Sequence, residues 1–505
     1  MIRKLLVANR GEIAIRIFRA AKSMGIPTVA VFSEADERQA HVEFADEAVF
    51  IGDSEPSKSY LNMDAILEAC QKTGANAVHP GYGFLSERAE FAEACVANEI
   101  IFIGPSAASM RALGSKIDAK NLAVSCNVPI APGFFEPGAT LEQLERAAQE
   151  IGYPILLKAS AGGGGRGMRI VRDPADFAEE FQIASDEALK GFGDGAMMVE
   201  KLIEKPRHIE AQLHADHHGN IAVLFERECS IQRRHQKLIE EAPSPLFARD
   251  EFAHIWPKMR EACVQLVKAS GYSNAGTVEF MLDEASGDFY FLEVNARLQV
   301  EHPVTEQITG LDLAQWQLRI ANGEALDLPE NLMAGNRSAI SGHSIEVRIV
   351  AEDPGANFMP SIGKILAWAE PKASMVRVDT GYRQGAEISR FYDSLAAKVI
   401  AHGETRLQAI QKLEIALRDF HILGVKTNIG YLLDVLAHPD FRAGNIDTGF
   451  LAREMGDWSP PAPPAELGSL VELAIGVSAT SQSNSPDENS KPAWGTSDGF
   501  RNVRP

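Results

Sequence analysis

Lys158-Ala159-Ser160-Ala161-Gly162-Gly163-Gly164-Gly165-Arg166-Gly167-Met168-Arg169-Ile170-Val171 is a glycine run set between two β-like segments. Pro154 to Lys158 reads as the strand that enters it, and Arg169 to Val171 as the strand that leaves it. A phosphate loop of the G-x-x-x-x-G-K-[ST] kind would open a helix, and this run does not. Bare glycine amides approach phosphate oxygens closely, and Lys158 and Arg166 add cations at the flanks, so the run is expected to be a mobile flap over a nucleotide's phosphates. A surface hairpin with no ligand is the alternative.

Around the flap, Thr140-Leu141-Glu142-Gln143 fits a capping box opening a helix to about Ile151, and Asp173-Pro174 fits an N-cap followed by proline at the first helical position. Residues 130–203 are therefore expected to form a small α+β unit. Further upstream, Leu5 to Ala8 reads as a buried strand, Glu12 to Met24 as a helix with Ile13, Ile17, Ala20 and Met24 on one face, and Thr28 to Phe32 as a second strand. This β-α-β unit predicts a parallel α/β domain over 1–115. The turn after the first strand, Asn9-Arg10-Gly11, lacks G-x-G-x-x-G, so the shape alone implies no dinucleotide. From His208 to about Val399 strand patterns dominate, and helical periodicity returns from Thr405 to Phe420, which predicts a large α+β domain over 204–450. Prolines 460, 461, 463 and 464 and a Ser/Asn/Pro-rich stretch, Ser478 to Pro492, mark 451–505 as a linker-like tail.

A second chemical feature is Phe291-Leu292-Glu293-Val294-Asn295-Ala296-Arg297-Leu298-Gln299-Val300-Glu301. In an extended chain the odd positions from Glu293 would line one face with carboxylates, amides and a guanidinium. Glu279 lies on a strand expected to pair back through the turn at 283–288, which would bring Glu279, Glu293 and Asn295 together as hard oxygen ligands suited to Mg²⁺. A solvent-facing edge strand is the alternative. The third feature, Gln232-Arg233-Arg234-His235-Gln236-Lys237, either counters a polyphosphate or is a solvated loop balanced by Glu226, Glu228, Glu240 and Glu241.

The 505 residues exceed one compact core, and 45% hydrophobic with 23% charged residues is ordinary for a globular chain. A net charge of −20 argues against nucleic-acid or anionic-membrane surfaces. Five scattered cysteines without a C-x-x-C pair suggest a reducing compartment. No apolar run approaches a membrane span, and strand pattern begins directly after Met1-Ile2-Arg3-Lys4, so a cytoplasmic protein is expected.

These segments, together with Leu6 to Ala14, His79-Pro80-Gly81-Tyr82-Gly83-Phe84-Leu85-Ser86-Glu87, Glu240 to Pro245, Glu293 to Thr305, Gly342 to Arg348 and Gly424 to Asn428, closely resemble the biotin carboxylase family over residues 1–450. The resemblance implies an ATP-grasp fold, α/β and α+β in class. A Rossmann-like domain at 1–115 would be followed by a central region at 116–203 carrying a mobile lid, and by a C-terminal α+β domain. It implies ATP binding by Lys116, Lys158, Gly164, Gly165, Glu200, Lys201, Leu202, Ile203, His208, Gln232, His235, Glu279 and Glu293. It assigns Mg²⁺ or Mn²⁺ to Glu279, Glu293 and Asn295, and bicarbonate to Lys237, Arg297, Gln299 and Val300. Glu301 would be the base, and Arg348 would hold the biotin ureido oxygen; Lys237 and Arg297 complete the catalytic set. Ala161 in place of glycine, and Val347 and Val350 beside Arg348, depart from the family pattern without removing a reactive side chain.

Biotin carriers present Ala-Met-Lys-Met, which this sequence lacks, so a carrier domain and a carboxyltransferase are expected elsewhere. Trp494 to Arg501 resembles the entry to the region that follows the carboxylase in acyl-CoA carboxylase α subunits. The resemblance also implies a homodimer, with Arg16 and Arg19 as interface candidates. Another acyl phosphate-forming ATP-grasp ligase, such as a carbamoyl-phosphate synthase, is opposed by Arg348 and by residues 79–87. A non-catalytic nucleotide-binding protein is opposed by the intact set of base and metal residues.

Overall fold

A computed structural model of the chain describes residues 1–160, 167–234, 236–372 and 374–461. Gly164, Gly165 and His235 lie outside the described residues, as do Ala161, Arg166 and the tail segments 478–492 and 494–501. Residues Met1–Trp458 form one unit.

The amino-terminal part is a parallel sheet of five strands in the order β3-β2-β1-β4-β5, with β1 at Leu5–Val7, β2 at Thr28–Ser33, β3 at Glu47–Gly52, β4 at Ala77–His79 and β5 at Ile101–Phe102. The helix Gly11–Ser23 connects β1 to β2 and buries Ile13, Ile17 and Ala20, as its periodicity predicts. Strand order reverses between β1 and β4, where open α/β sheets usually hold ligands. Here the two loops at that point hold each other: Asn9 Nδ2 donates to the carbonyls of Pro80 and Tyr82, both at 2.7 Å. Gly81, at φ +64°, passes so near Asn9 that a Cβ would lie 2.8 Å from that same nitrogen.

The lid region is a four-stranded sheet, β6 (Gly133–Phe134), β9 (Met197–Lys201), β7 (Ile155–Ala159) and β8 (Met168–Val171) in spatial order. Its helices are Leu141–Ile151 and Phe177–Phe192. Thr140 and Gln143 form the expected capping box, and Asp173 caps a short turn that starts at Pro174 and feeds the second helix. Strands β7 and β8 pair antiparallel on either side of the glycine run.

An eight-stranded sheet makes up the body. Its order is β14 (Asp288–Asn295), β13 (Asn274–Asp283), β10 (Pro206–Ala215), β11 (Ile221–Arg233), β12 (Gln236–Ala242), β15 (His343–Val350), then Leu395–Gly403 and Arg377–Thr380. The pairing of β13 with β14 sets Glu279 opposite Glu293 and Thr277 opposite Asn295. A register shift at Leu292 lets Phe289 and Phe291 face the core before it and Val294 after it. This bulge re-aims the odd positions, so Glu293 is only half-buried on an edge strand.

The extended run expected to reach Glu301 ends at Asn295. Residues 296–300 turn, and the helix His302–Thr309 begins with Pro303 in its first turn, where the ring's fixed φ suits a helix and not a strand. Arg16 is not a surface arginine: it is 5% exposed and pairs with Glu306 and Asp312, each at 2.6 Å. Arg19 stays exposed, with its guanidinium 5.8 Å from the centre of the Phe44 ring.

Candidate active site

The lid contributes a cluster of cations around one carboxylate. Leu156 of β7 lies opposite Glu200 of β9, so Lys158, two residues on, shares the Glu200 face and its Nζ donates to Glu200 Oε2 at 2.6 Å. Lys120, from the helix Lys116–Ser125, pairs with the other oxygen. Burial opposes the Glu200 charge, but the two ammonium groups outweigh it and hold the carboxyl down at about 2. Lys116, at the first position of the same helix, is lowered by burial and by Lys158 and forms no salt bridge among the described residues. Lys158 and Lys120 against the single Glu200 carboxylate leave an excess of positive charge along β7, as polyphosphate binding requires. Lys201 turns aside, donating to the carbonyls of Gly152 and Tyr153 at 2.8 and 3.3 Å, and Leu202 and Ile203 are half-buried between β9 and β10.

The body sheet supplies a second, denser network. Lys237 Nζ sits among three carboxylates: Glu210 at 2.6 Å, Glu301 at 2.7 Å and Glu279 at 2.9 Å. Glu279 Oε2 meets His208 Nε2 at 3.0 Å, and Gln232 Nε2 reaches His208 Nδ1 at 3.3 Å. Glu279 Oε1 accepts from Asn295 Nδ2 at 2.9 Å, which leaves the Asn295 carbonyl oxygen for Arg297 Nη2 at 3.0 Å. Arg297 also donates to Gln299 Oε1 at 2.9 Å and pairs with Glu87 at 3.2 Å. The i, i+2 neighbours expected on a strand thus meet across a turn.

Glu301 joins this network to Arg348: Oε1 faces Lys237 and Oε2 faces Arg348 Nη2 at 3.0 Å. Burial opposes its charge, and Lys237 and Arg348 reverse that effect and hold it well below the ordinary carboxylate range. Arg348 also pairs with Glu240. Glu240 is pushed up to about 7, because burial and the neighbouring Glu301 outweigh Arg348. Arg227 is completely enclosed and binds Glu210, Gln212, Thr305 and Thr277, which fixes Glu210 beneath Lys237.

The described residues of the basic segment 232–237 diverge: Gln232 and Arg233 end β11, Gln236 and Lys237 begin β12, and Arg234 has φ +49°. Arg233 leaves the site for Glu352, at 2.6 and 2.7 Å, and lies over Phe358; Arg234 bonds Asn357 at 2.8 Å. The four glutamates expected to balance it pair elsewhere: Glu226 with Arg337, Glu228 with Arg207, Glu240 with Arg348 and Glu241 with Arg406.

Sequence reading missed Lys120, Glu210, Arg227 and Glu240 as members of these networks. The alternation His208-Ile209-Glu210-Ala211-Gln212-Leu213-His214 along β10 carries the same period-two signal as residues 293–301 and would have exposed Glu210. Lys120 carries no such signal, since it reaches Glu200 only through helix placement.

Two of the three expected ligands, Glu279 and Glu293, suit a divalent cation, whereas the Asn295 oxygen accepts from Arg297. Glu279 and Glu293 face each other across paired strands, and burial together with Glu279 pushes Glu293 upward, a repulsion that a hard cation relieves.

The family model "Biotin carboxylase, N-terminal domain" matches residues 1–110, "Carbamoyl-phosphate synthase L chain, ATP binding domain" matches 115–329, and "Biotin carboxylase C-terminal domain" matches 346–453. Biotin carboxylase 2 of Bacillus subtilis is 48% identical over 455 residues, covering 90% of this chain and 100% of that one. The mitochondrial methylcrotonoyl-CoA carboxylase subunit alpha of Mus musculus is 46% identical over 477 residues, 94% of this chain, which spans 65% of that relative's length. Among solved structures, biotin carboxylase of Campylobacter jejuni in a complex with an ATP ligand has a TM-score of 0.85 at 42% identity, covering 90% of this chain and 99% of that one. The biotin carboxylase domain dimer of Hydrogenobacter thermophilus 2-oxoglutarate carboxylase, with MgADP, ADP and bicarbonate, also scores 0.85, at 43% identity and 91% and 99% coverage. Three matched segments in order, and a full-length relative at near half identity, place this chain in the biotin carboxylase family of ATP-dependent ligases that carboxylate biotin.

Proposed function

We propose that the chain carries out the first half-reaction of a biotin-dependent acyl-CoA carboxylase, and that Glu301, poised between Lys237 and Arg348, is the base. That placement is the observation on which the reading rests. ATP lies between lid and body, its phosphates met by Lys116 and Lys158 and by the glycine run, with Gly164 and Gly165, outside the described residues. Glu200 sets Lys158, together with Lys120, and Lys201, Leu202, Ile203, His208, Gln232 and His235 complete the nucleotide's surroundings. Glu279, Glu293 and Asn295 hold Mg²⁺, which, when bound, neutralises phosphate charge.

Bicarbonate is held by Lys237, Arg297, Gln299 and Val300. Glu301 removes its proton, and the freed oxygen attacks the γ-phosphorus as the bond to ADP breaks, giving carboxyphosphate. This splits to CO₂ and phosphate; the phosphate takes the biotin N1′ proton, and Arg348 stabilises the ureido oxygen as nitrogen attacks CO₂. Closure of the lid excludes water from the acyl phosphate.

Biotin arrives on a carrier domain, and a carboxyltransferase completes the cycle. The similarity to methylcrotonoyl-CoA carboxylase subunit alpha supports the acyl-CoA assignment. A homodimer is supported by the dimeric H. thermophilus domain, and a cytoplasmic setting by five free cysteines. No helix among the described residues is long and apolar enough to cross a membrane.

The test is bicarbonate-dependent ADP release with Mg²⁺, with and without free biotin. Biotin stimulation lost in Glu301→Gln and Arg348→Ala supports the reading. Turnover indifferent to biotin and to Arg348 rejects it.

A further inference from the structure

Behind the turn that follows β14 lies a cation for which the proposed chemistry has no role. Lys398, on the strand Leu395–Gly403, is 0% exposed. It is the cross-strand neighbour of Arg348. The two cations grip consecutive residues of one turn: Arg348 takes the Glu301 carboxylate, and Lys398 Nζ donates to the Val300 carbonyl at 2.9 Å. Among the described residues the backbone amides of Val300 and Glu301 meet no acceptor.

Lys398 is itself anchored by Glu12 at 3.2 Å and by Asp379 at 3.7 Å. Glu12 accepts the Tyr82 hydroxyl, and Asp379 is held by Arg377 at 2.7 Å. Burial disfavours the ammonium, but Glu12, Glu346 and Asp379 restore its charge, so it remains a donor across the working pH range.

We propose that Lys398 is a positioning residue for bicarbonate: by drawing the Val300 carbonyl backward it keeps the Gln299–Val300–Glu301 segment, with its unpaired amides, presented to the anion. In a planar trans peptide the carbonyl and the following N–H point in opposite directions, so a carbonyl fixed to the rear turns the Glu301 N–H forward. A run of forward-facing amides is an anion-binding concavity, and it keeps that shape only if the carbonyls between them are held. This inference rests on the bicarbonate site proposed above.

The test compares wild type, Lys398→Met, Lys398→Arg and the charge-balanced Lys398→Met/Glu12→Gln in bicarbonate-dependent ADP release. Loss of a charged hydrogen bond predicts a bicarbonate KM raised about tenfold in both methionine variants, with the MgATP KM within about twofold and partial recovery in the arginine variant. Gln299-Val300 is the only Gln-Val pair in the chain, so carbonyl-labelled glutamine with amide-labelled valine reports Val300 alone. Its signal should shift with bicarbonate in the wild type and respond only at higher bicarbonate in folded Lys398→Met. An unchanged bicarbonate KM in a folded methionine variant overturns the proposal. Parallel losses in MgATP and bicarbonate KM, or failure of all three variants to fold, overturn it too, since Lys398 would then serve the fold alone. A wild type with no bicarbonate-dependent ADP release would instead reject the underlying functional reading.

Discussion

Glu301 and Arg348 face each other at 3.0 Å, and each has a further partner of opposite charge: Lys237 for the carboxylate and Glu240 for the guanidinium. The base assigned to bicarbonate and the cation assigned to biotin therefore share one buried ion network. A change at either should be felt at the other, which separates roles that isolated residues could not.

Glu301→Gln keeps the side chain's size but cannot take a proton. Bicarbonate-dependent ADP release should fall by a factor of about 10² to 10⁴, the usual contribution of a placed general base. Steady-state kinetics at saturating MgATP check this, and near-normal turnover would remove Glu301 from the mechanism.

Arg348→Ala should abolish stimulation by free biotin and lower biotin-independent ATP consumption to a smaller extent, because the ureido charge loses its cation while Glu301 loses one partner and keeps Lys237. A parallel loss of both activities would make Arg348 a support for Glu301.

The Glu240 carboxyl is raised to about 7, so in the folded chain it keeps its proton to higher pH than when unfolded. Its stabilising contribution is complete below the unfolded value near 4.5 and disappears as pH rises through about 7. Glu240→Gln should flatten the loss of stability between pH 5 and about 8. Denaturant midpoints across that range decide it; equal slopes in wild type and variant would disprove the shift.

Glu241 behaves oppositely. Burial opposes its charge, but Arg406 and His343, both at 2.6 Å, hold it down at about 2. Its contribution is present above about 4.5 and fades as pH falls toward 2. Glu241→Gln should cost about 3–5 kcal/mol at pH 7, as for a broken buried pair, with the difference from wild type shrinking in acid. Denaturant unfolding at pH 7 and below pH 4 measures both.

Local rules carried far in this chain. The turn at 283–288 paired the Glu279 strand with the Glu293 strand as expected, although only the bulge at Leu292 set the two glutamates opposite each other, and the capping box at Thr140 and the proline after Asp173 marked real helix starts. Arg16 defeated the same reasoning, because a helix position names a face and not what covers it; Glu306 and Asp312, nearly 300 residues later, cover this one. For the basic run 232–237 the sequence left two readings open, and strand pairing alone sends Arg233 and Lys237 to different carboxylates.

The sequence by itself determined the elements and the residue types that chemistry needs, since helix caps, strand alternation and bare glycine amides act over a few residues of chain. Tertiary structure alone decided which charges are neutralised. Lys120 reaches Glu200, Lys237 gathers Glu210, Glu279 and Glu301, and Lys398 holds Val300 only because strands far apart in the chain are neighbours in one sheet or packed against the same turn. Electrostatic coupling depends on distance and burial, and neither is written in the order of residues.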